Sequence, residues 1–333
     1  MVTQNYRTEA VKTPSLGGVR EKGKERLQKD KIAFRQKLNS HIRRLLIILA
    51  NWLFNYRFVF KIIGTVNKRF GFIESVFLAY PANESYALSY VYHSRLPKVR
   101  WNPWSVGFLR QNGKLGIMFV ISAGNKDFRD PTNADNLRQV VAKMEDFRLL
   151  LNAKRKTFAG ILPGILFLKR AIKETHEADT TVKAVGLAIA EVKAREKLPP
   201  DCPTIVLGGR GFIGRKVFAN LPSENLYCVD TANGCEWPDH LCCQRVLLVN
   251  IADNGALDEY VPKLWPGTVV LNEVYPEPKA ATVERLKRFG CACYHIQGVK
   301  GHALPLFPHA YRGAIPCCSA WMAEQMKVVL LRM

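Results

Sequence analysis

The segment "PTIVLGGRGFIGRKVFANLPSENLYCVD", residues 203–230, limits the possible folds more than any other part of the chain. A buried-type apolar run leads into Gly209-Arg210-Gly211-Phe212-Ile213-Gly214, then a helical stretch, then a second apolar run ending in Asp230. Strand, glycine turn, helix and strand in that order fit a parallel βαβ unit. The glycines serve separate needs: a tight turn, close approach of backbone to a pyrophosphate, and packing of helix on strand. The helix start offers unpaired N–H groups and a positive dipole end to phosphate. An acid at Asp230, twenty-one residues after Gly209, suits ribose hydroxyls and repels a 2′-phosphate. The expected cofactor is NAD, with NADP as the alternative that Arg210 and Arg215 keep open.

The alternation continues. "CCQRVLLVNIADNG" predicts a strand whose end, from Asn250 to Asn254, covers the cofactor. Two further helix–strand units follow, giving about five parallel strands at this end. Before it, "FGFIESVFLAYP" and "ESYALSYVYHSRL" predict strands, and "RWNPWSVGFLRQNGKLGIMFVISAG" predicts a hairpin turning at Asn112–Gly113. Leu137, Val140, Val141, Met144, Phe147 and Leu151 recur at helical spacing. "TFAGILPGILF" predicts a short strand broken at Pro163–Gly164, and "DTTVKAVGLAIAEVKAREK" a helix capped by Asp179 or Thr180. The expected fold class is α/β, with a C-terminal Rossmann-type parallel sheet domain and a smaller N-terminal α/β substrate domain. The boundaries are 1–70 for a basic arm and amphipathic helix, 71–198 for the substrate domain, 199–300 for the NAD(P)-binding domain, and 301–333 for a loop and a C-terminal helix packing back.

Charge is unevenly distributed. Of a net +21, residues 1–70 contribute sixteen Lys/Arg against four acids. Such a balance attracts phosphates, anionic lipid or an acidic protein. Within "HIRRLLIILANWLFNYRFVFKIIGTV", residues 41–66, the longest unbroken apolar run is Leu45 to Ala50, short of the ~20 residues that span a bilayer. A helix there gathers its polar residues on less than half its circumference. It fits either contact with a membrane interface or packing on the rest of the protein. Nucleic acid is not the expected partner. The nine cysteines all lie at or after Cys202, without a CxxC and in odd number, which fits reduced thiols, no metal site and a cytoplasmic protein, membrane-associated if the helix docks.

Two likenesses rest on particular residues. "LWPGTVVLNEVYPEPKAATVERLKRFGCACYHIQGV" resembles the second half of shikimate-dehydrogenase-like nucleotide domains, a resemblance that implies Tyr275, Pro276 and Gly298 line the nicotinamide side. The order "FGFIE", "FAGILPGI", "TIVLGGRGFIG", "VVLNEVYPEP" and "AWMAEQM" is similar to the long-chain acyl-[acyl-carrier-protein] reductases, over about residues 70–330. That family reduces a fatty acyl thioester to an aldehyde with NADPH through an acyl-cysteine, so the resemblance implies an acyl substrate on an acidic carrier protein. In register with the family's cysteine stands Trp321; Cys317 and Cys318 are the nearest thiols.

Pro316 at the start of a closing helix would put Cys317 and Cys318 at its positive end, where a thiolate is stabilised for acyl transfer. Both also suit a core, where free cysteine usually sits. In the loop "GVKGHALPLFPHAYRG", His302, His309, Lys300 and Tyr311 are candidate proton donors to a carbonyl oxygen, with His302 preferred because Gly301 lets backbone come close. Lys154, Lys156 or Lys169 could hold an anionic head. The expected activity is hydride transfer to or from a carbonyl or acyl substrate. Alternatives are a small-molecule alcohol dehydrogenase of the shikimate type, which would need a Lys–Asp pair, and a non-catalytic NAD-responsive binding protein.

Overall fold

The structure, a computed structural model, describes residues 38–81, 100–222, 224–305, 311, 313–321 and 323–333. Apolar runs bounded by glycine and polar turns form two sheets. In the first lie β1 (Ile73–Ala79), β2 (Trp104–Gln111), β3 (Lys114–Val120), β4 (Arg155–Phe158) and β10 (His302–Leu304), in the order β10-β2-β3-β1-β4. β2 and β3 make the expected hairpin: Asn112 (φ 47°) and Gly113 (φ 79°) both take the left-handed conformation that a two-residue turn between twisted strands requires. β1 pairs in parallel with β3 and β4, so the sheet is mixed. The strand expected at "ESYALSYVYHSRL" lies outside the described residues.

The helices of this half differ in detail from expectation. The single helix of residues 41–66 is two, α1 (Leu38–Phe54) and α2 (Arg57–Phe70), bent by 84°. The break at Asn55–Tyr56 lets each helix turn its own face to the protein. α2 meets α4 (Ala134–Leu150) closely enough that a Cβ on Gly64 would collide with Leu150 O. Asn67 bonds Leu151 O (3.0 Å), Asn152 O (2.8 Å) and both backbone groups of Ile73, tying helix to strand. A five-residue α3 (Asn125–Arg129) precedes α4. Pro163–Gly164 does not break a strand; it sits in the first turn of α5 (Leu162–Leu168), where a missing N–H costs nothing. α6 (His176–Arg195) starts before the expected cap, so Glu177 and Asp179 are first-turn acids on the positive helix end.

The second sheet holds β5 (Thr204–Leu207), β6 (Leu226–Val229), β7 (Leu247–Asn250), β8 (Val269–Asn272) and β9 (Ala292–Lys300), parallel and in the order β9-β8-β7-β5-β6. Their connections carry α7 (Phe212–Asn220), α8 (Asn254–Tyr260) and α9 (Ala280–Arg288). The chain leaves β5 for β6 on one side and returns to β7 on the other, so a topological switch point opens at the end of β5. This is the Rossmann-type sheet, and the whole is α/β.

The expected C-terminal helix does not form. In its place are β11 (Ala314–Ile315), short 3₁₀ turns at Cys317–Ser319 and Ala323–Gln325, and β12 (Val328–Arg332), antiparallel to β9. β8 pairs only Ala292 to His295 of the nine-residue β9, whose remaining backbone groups demand partners. The β-branched start of "VVLLR" suits that role, and ladder pairing overrides the local helical pattern. Residues 301–333 thus stitch both sheets, β10 to the first and β11 and β12 to the second. α6 does the same by packing. Val185, Ala188, Ile189 and Val192 lie among core residues of β7, β8 and β9, while Ala184 joins Phe77 and Met118 of the first sheet.

Candidate functional site

The end of β5 runs into a turn built for close contact. Gly208 takes φ 83° with Ala252 against its Cα, and a Cβ on Gly214 would collide with Gly208 O, so α7 starts on top of the strand end. Gly211 is the helix N-cap and accepts Arg215 N–H on its carbonyl. Gly209 lies beneath Cys228, which would meet a Cβ at 2.8 Å. These requirements belong to backbone geometry and leave the first-turn N–H groups of α7 facing the switch point.

Between this turn and the first sheet lies a cavity of about 440 Å³. Gly211, Phe212, Ile213 and Gly214 line it from the turn; Tyr275 and Gly298 line it from β8 and β9; Cys317 and Cys318 line it from the closing 3₁₀ turn. The opposite wall is apolar, with Phe77, Ala79, Val106, Met118 and Val120. The structure therefore brings the first eight of these residues, all singled out from sequence, to one cavity.

Five others stand apart. Gly209 supports the turn from below. Asp230 accepts the backbone N–H of Arg210 (3.2 Å) and the Asn233 amide (2.8 Å), beside the turn at the end of β6. The Arg210 guanidinium donates to Cys235 Sγ (3.3 Å), and this hydrogen bond lowers the Cys235 thiol's pKa, while burial raises that of its neighbour Cys228 to about 11. Asn250 is fully buried and does not reach the cavity. Its side chain opens a polar ladder across three strand ends: Asn250 Nδ2 donates to Asn272 Oδ1 (2.7 Å), and Asn272 Nδ2 to His295 Nδ1 (3.0 Å). Burial drives the His295 pKa down to about 4, so the ring is neutral, with Nδ1 accepting and Nε2 protonated. The ladder fixes the strand ends, and the backbone after Asn250, at Ile251 and Ala252, lines the cavity instead.

His302 does not belong to the site: it is exposed on β10, opposite Arg110 on the outer edge of the first sheet. Pairing with β2 pulls it there. His309 lies outside the described residues. Tyr311 does line the cavity, stacked on Tyr275 at 4.4 Å. The three candidate lysines hold other groups, Lys154 on Glu74, Lys156 on Glu145 and Lys169 on Asp130 O. Among the described residues no lysine lines the cavity, so the Lys–Asp pair of a shikimate-type enzyme has no counterpart there.

Two carboxyl groups went unnoticed in the sequence. Glu177, in the first turn of α6, accepts Phe158 N–H (2.9 Å), and burial raises its pKa to about 7 despite the favourable helix end. Glu273, one residue past β8, is raised by burial to about 8. Both line the cavity. Tyr80 also lines it, its hydroxyl accepting Ile161 N–H (3.1 Å), with burial raising its pKa to about 12. No sequence signal marks these residues, because their chemistry comes from what surrounds them.

The thiols lack the environment expected of them. Without a helix behind Pro316, no dipole favours a thiolate; burial pushes the Cys318 thiol up to about 12 and raises Cys317 well above the usual thiol range. Trp321 is core, packed on Gly116, and does not face the cavity.

No family model matches the chain, and neither does any curated protein. Among solved structures, L-tryptophan dehydrogenase from Nostoc punctiforme is similar over 66% of this chain and 68% of its own, at 18% identity and a TM-score of 0.33.

Proposed function

We propose that this chain is an NAD(P)-dependent oxidoreductase acting on an apolar carbonyl compound held between the two sheets. One observation carries the proposal: two carboxyl groups, Glu177 from the first-sheet side and Glu273 from the second, face one apolar cavity that opens on a glycine turn at a topological switch point. The turn suits a dinucleotide. Side chains are excluded at Gly208 and Gly214, the amides from Phe212 onward can receive a pyrophosphate, and the Asp230 carboxylate beside the turn would accept the ribose hydroxyls. When bound, the dinucleotide supplies or takes up hydride. Gly298 and the stacked Tyr275–Tyr311 pair would give its reactive end a floor, and the apolar Phe77–Met118 wall would keep water from the substrate.

A carbonyl oxygen that gains charge needs a proton, and a carboxyl group still protonated near neutral pH can give one. Glu273 fits that role and Glu177 seconds it from the opposite side. The narrower reading, reduction of a fatty acyl thioester carried on an acidic protein, needs a thiolate at Cys317 or Cys318. Burial and the nearby Glu273 and Glu177 carboxyls act against it, which favours direct carbonyl chemistry. The carboxylate of Asp230 favours NAD, and exposed Arg210 beside it keeps NADP in play.

Calorimetric titration of the full chain with NADH and NADPH tests the first step. Binding of at least one below millimolar concentration is expected, tightened by an aliphatic aldehyde; no uptake of either at millimolar concentration overturns the proposal. Transfer of label from 4-deuterated reduced cofactor to that aldehyde tests the reaction, and Glu273→Gln should slow it at least tenfold.

A further inference from the structure

The helices α1 and α2 carry an apolar surface that the other described residues leave uncovered. Thirteen of the twenty-one large apolar side chains exposed among the described residues lie between Leu38 and Phe70. In α1, Ile42, Leu45, Leu46, Leu49, Trp52 and Leu53 are all exposed and fall within an arc of about 120° at the helical repeat. Directly opposite, Ile47 is 4% exposed and packs with Phe77, Val106 and Met118. Asn51, beside it, accepts Ser105 N–H (3.0 Å) and donates to Ser105 O, so α1 is pinned to β2 by its inner face. In α2, Phe58, Ile62, Val66 and Phe70 form a second exposed stripe, opposite buried Phe60 and Asn67.

Charge decides what covers this surface. Residues 38–70 carry six Lys/Arg and no Asp or Glu. Lys61 and Lys68 line one margin of the α2 stripe, and Arg69 lies within it, all exposed. A second copy of the chain would set these cations against their own kind. Anionic headgroups above an acyl layer match both features, apolar stripe and cationic margin. The helices lie on such a layer rather than cross it. Among the described residues no single helix is long and apolar enough to span; α1 and α2 have the length and composition only as a pair, which is bent by 84°, and both are tied to the sheet and to α4 by buried contacts.

We propose that α1 and α2 form a docking surface for anionic lipid bilayers, the apolar stripes entering the acyl boundary and Lys61, Lys68 and Arg69 meeting the headgroups. Ile47 shares its core cluster with Phe77, Val106 and Met118, which also line the cavity, so the docked helix and the candidate site are two sides of one wall. Delivery of an apolar substrate from the membrane follows if the oxidoreductase reading holds; docking itself does not depend on that reading.

The test is flotation of the full chain, without cofactor, with vesicles of phosphatidylcholine alone or with 30% phosphatidylglycerol. Binding to the anionic vesicles should exceed binding to the neutral ones at least tenfold, and weaken as salt rises. Leu49→Glu/Trp52→Glu, which alters only exposed positions, should reduce it at least tenfold with unchanged circular dichroism and thermal midpoint. Lys61→Ser/Lys68→Ser, which leaves Arg69 in place, should weaken the preference for anionic lipid while sparing the fold. Quenching of tryptophan fluorescence by lipids brominated on the acyl chain should occur in the wild type and fall in Trp52→Phe. Equal flotation of the wild type and the double glutamate variant, or none with either vesicle, overturns the proposal. So does a dimer in solution that Leu49→Glu/Trp52→Glu converts to monomer, which would assign the face to a second copy.

Discussion

The two walls of the cavity are built on different principles. The turn wall, Gly208 to Gly214, is defined by side chains that cannot be there: backbone approaches backbone so closely that a Cβ would collide. The facing wall, Phe77, Val106 and Met118, is defined by side chains that fill space, each 3% exposed or less. Absence of a side chain is a strict demand that only glycine meets. Filling a volume is a loose one that several apolar residues meet, provided the sum is right. The turn wall should therefore be brittle and the facing wall costly but forgiving.

The largest effect is expected at the turn. Gly214→Val forces α7 off the end of β5 and should destabilise the chain by at least about 4 kcal/mol or prevent folding; a folded variant within 1 kcal/mol of wild type by urea titration would break the contrast. On the facing wall, Phe77→Ala removes a fully buried ring and should cost about 3–5 kcal/mol, while Phe77→Leu should cost about half or less. Equal costs for both would show that the wall needs that ring's shape and not just its volume.

The carboxyl groups sharpen the comparison next, since each is attached to one side. Glu273 has a folded pKa of about 8 against an ordinary value of 4.5. The native state therefore holds this proton while the unfolded chain releases it, and stability falls as pH rises from about 4.5 to about 8, then levels. Glu273→Gln should flatten that fall, and Glu177→Gln should flatten less of it, because its window closes near pH 7. Parallel stability–pH curves for wild type and Glu273→Gln would contradict the burial described. The smallest effect is on rate. At pH 7, iodoacetamide should label Cys235, exposed to Arg210, at least tenfold faster than Cys317 or Cys318, with adducts mapped by mass spectrometry. Arg210→Ala should slow Cys235 and leave Cys317 and Cys318 unchanged.

Legibility followed the same division. The glycine turn, the alternation of β5 to β9, the Asn112–Gly113 hairpin and the helical repeat of α4 were visible because each is a local pattern with a local cause. The C-terminal segment misled for the opposite reason. Residues 314–332 have helical spacing, but β9 extends past β8 and recruits Val328–Arg332 as a strand, a demand set by residues some thirty positions earlier. With the helix went the reason to expect a thiolate at Cys317 or Cys318. His302 was drawn to an outer edge by pairing with β2, while Glu177 and Glu273 looked like ordinary surface acids until packing removed their water.

What the sequence determined by itself was therefore the part governed by backbone: which strands alternate with helices, where glycine must stand, and which end of the sheet can receive a phosphate. Only the tertiary structure decided the chemistry around it. Which acids keep their protons, which thiols are silenced and which apolar faces remain uncovered all depend on solvent exclusion, and water is excluded by residues far apart in the chain.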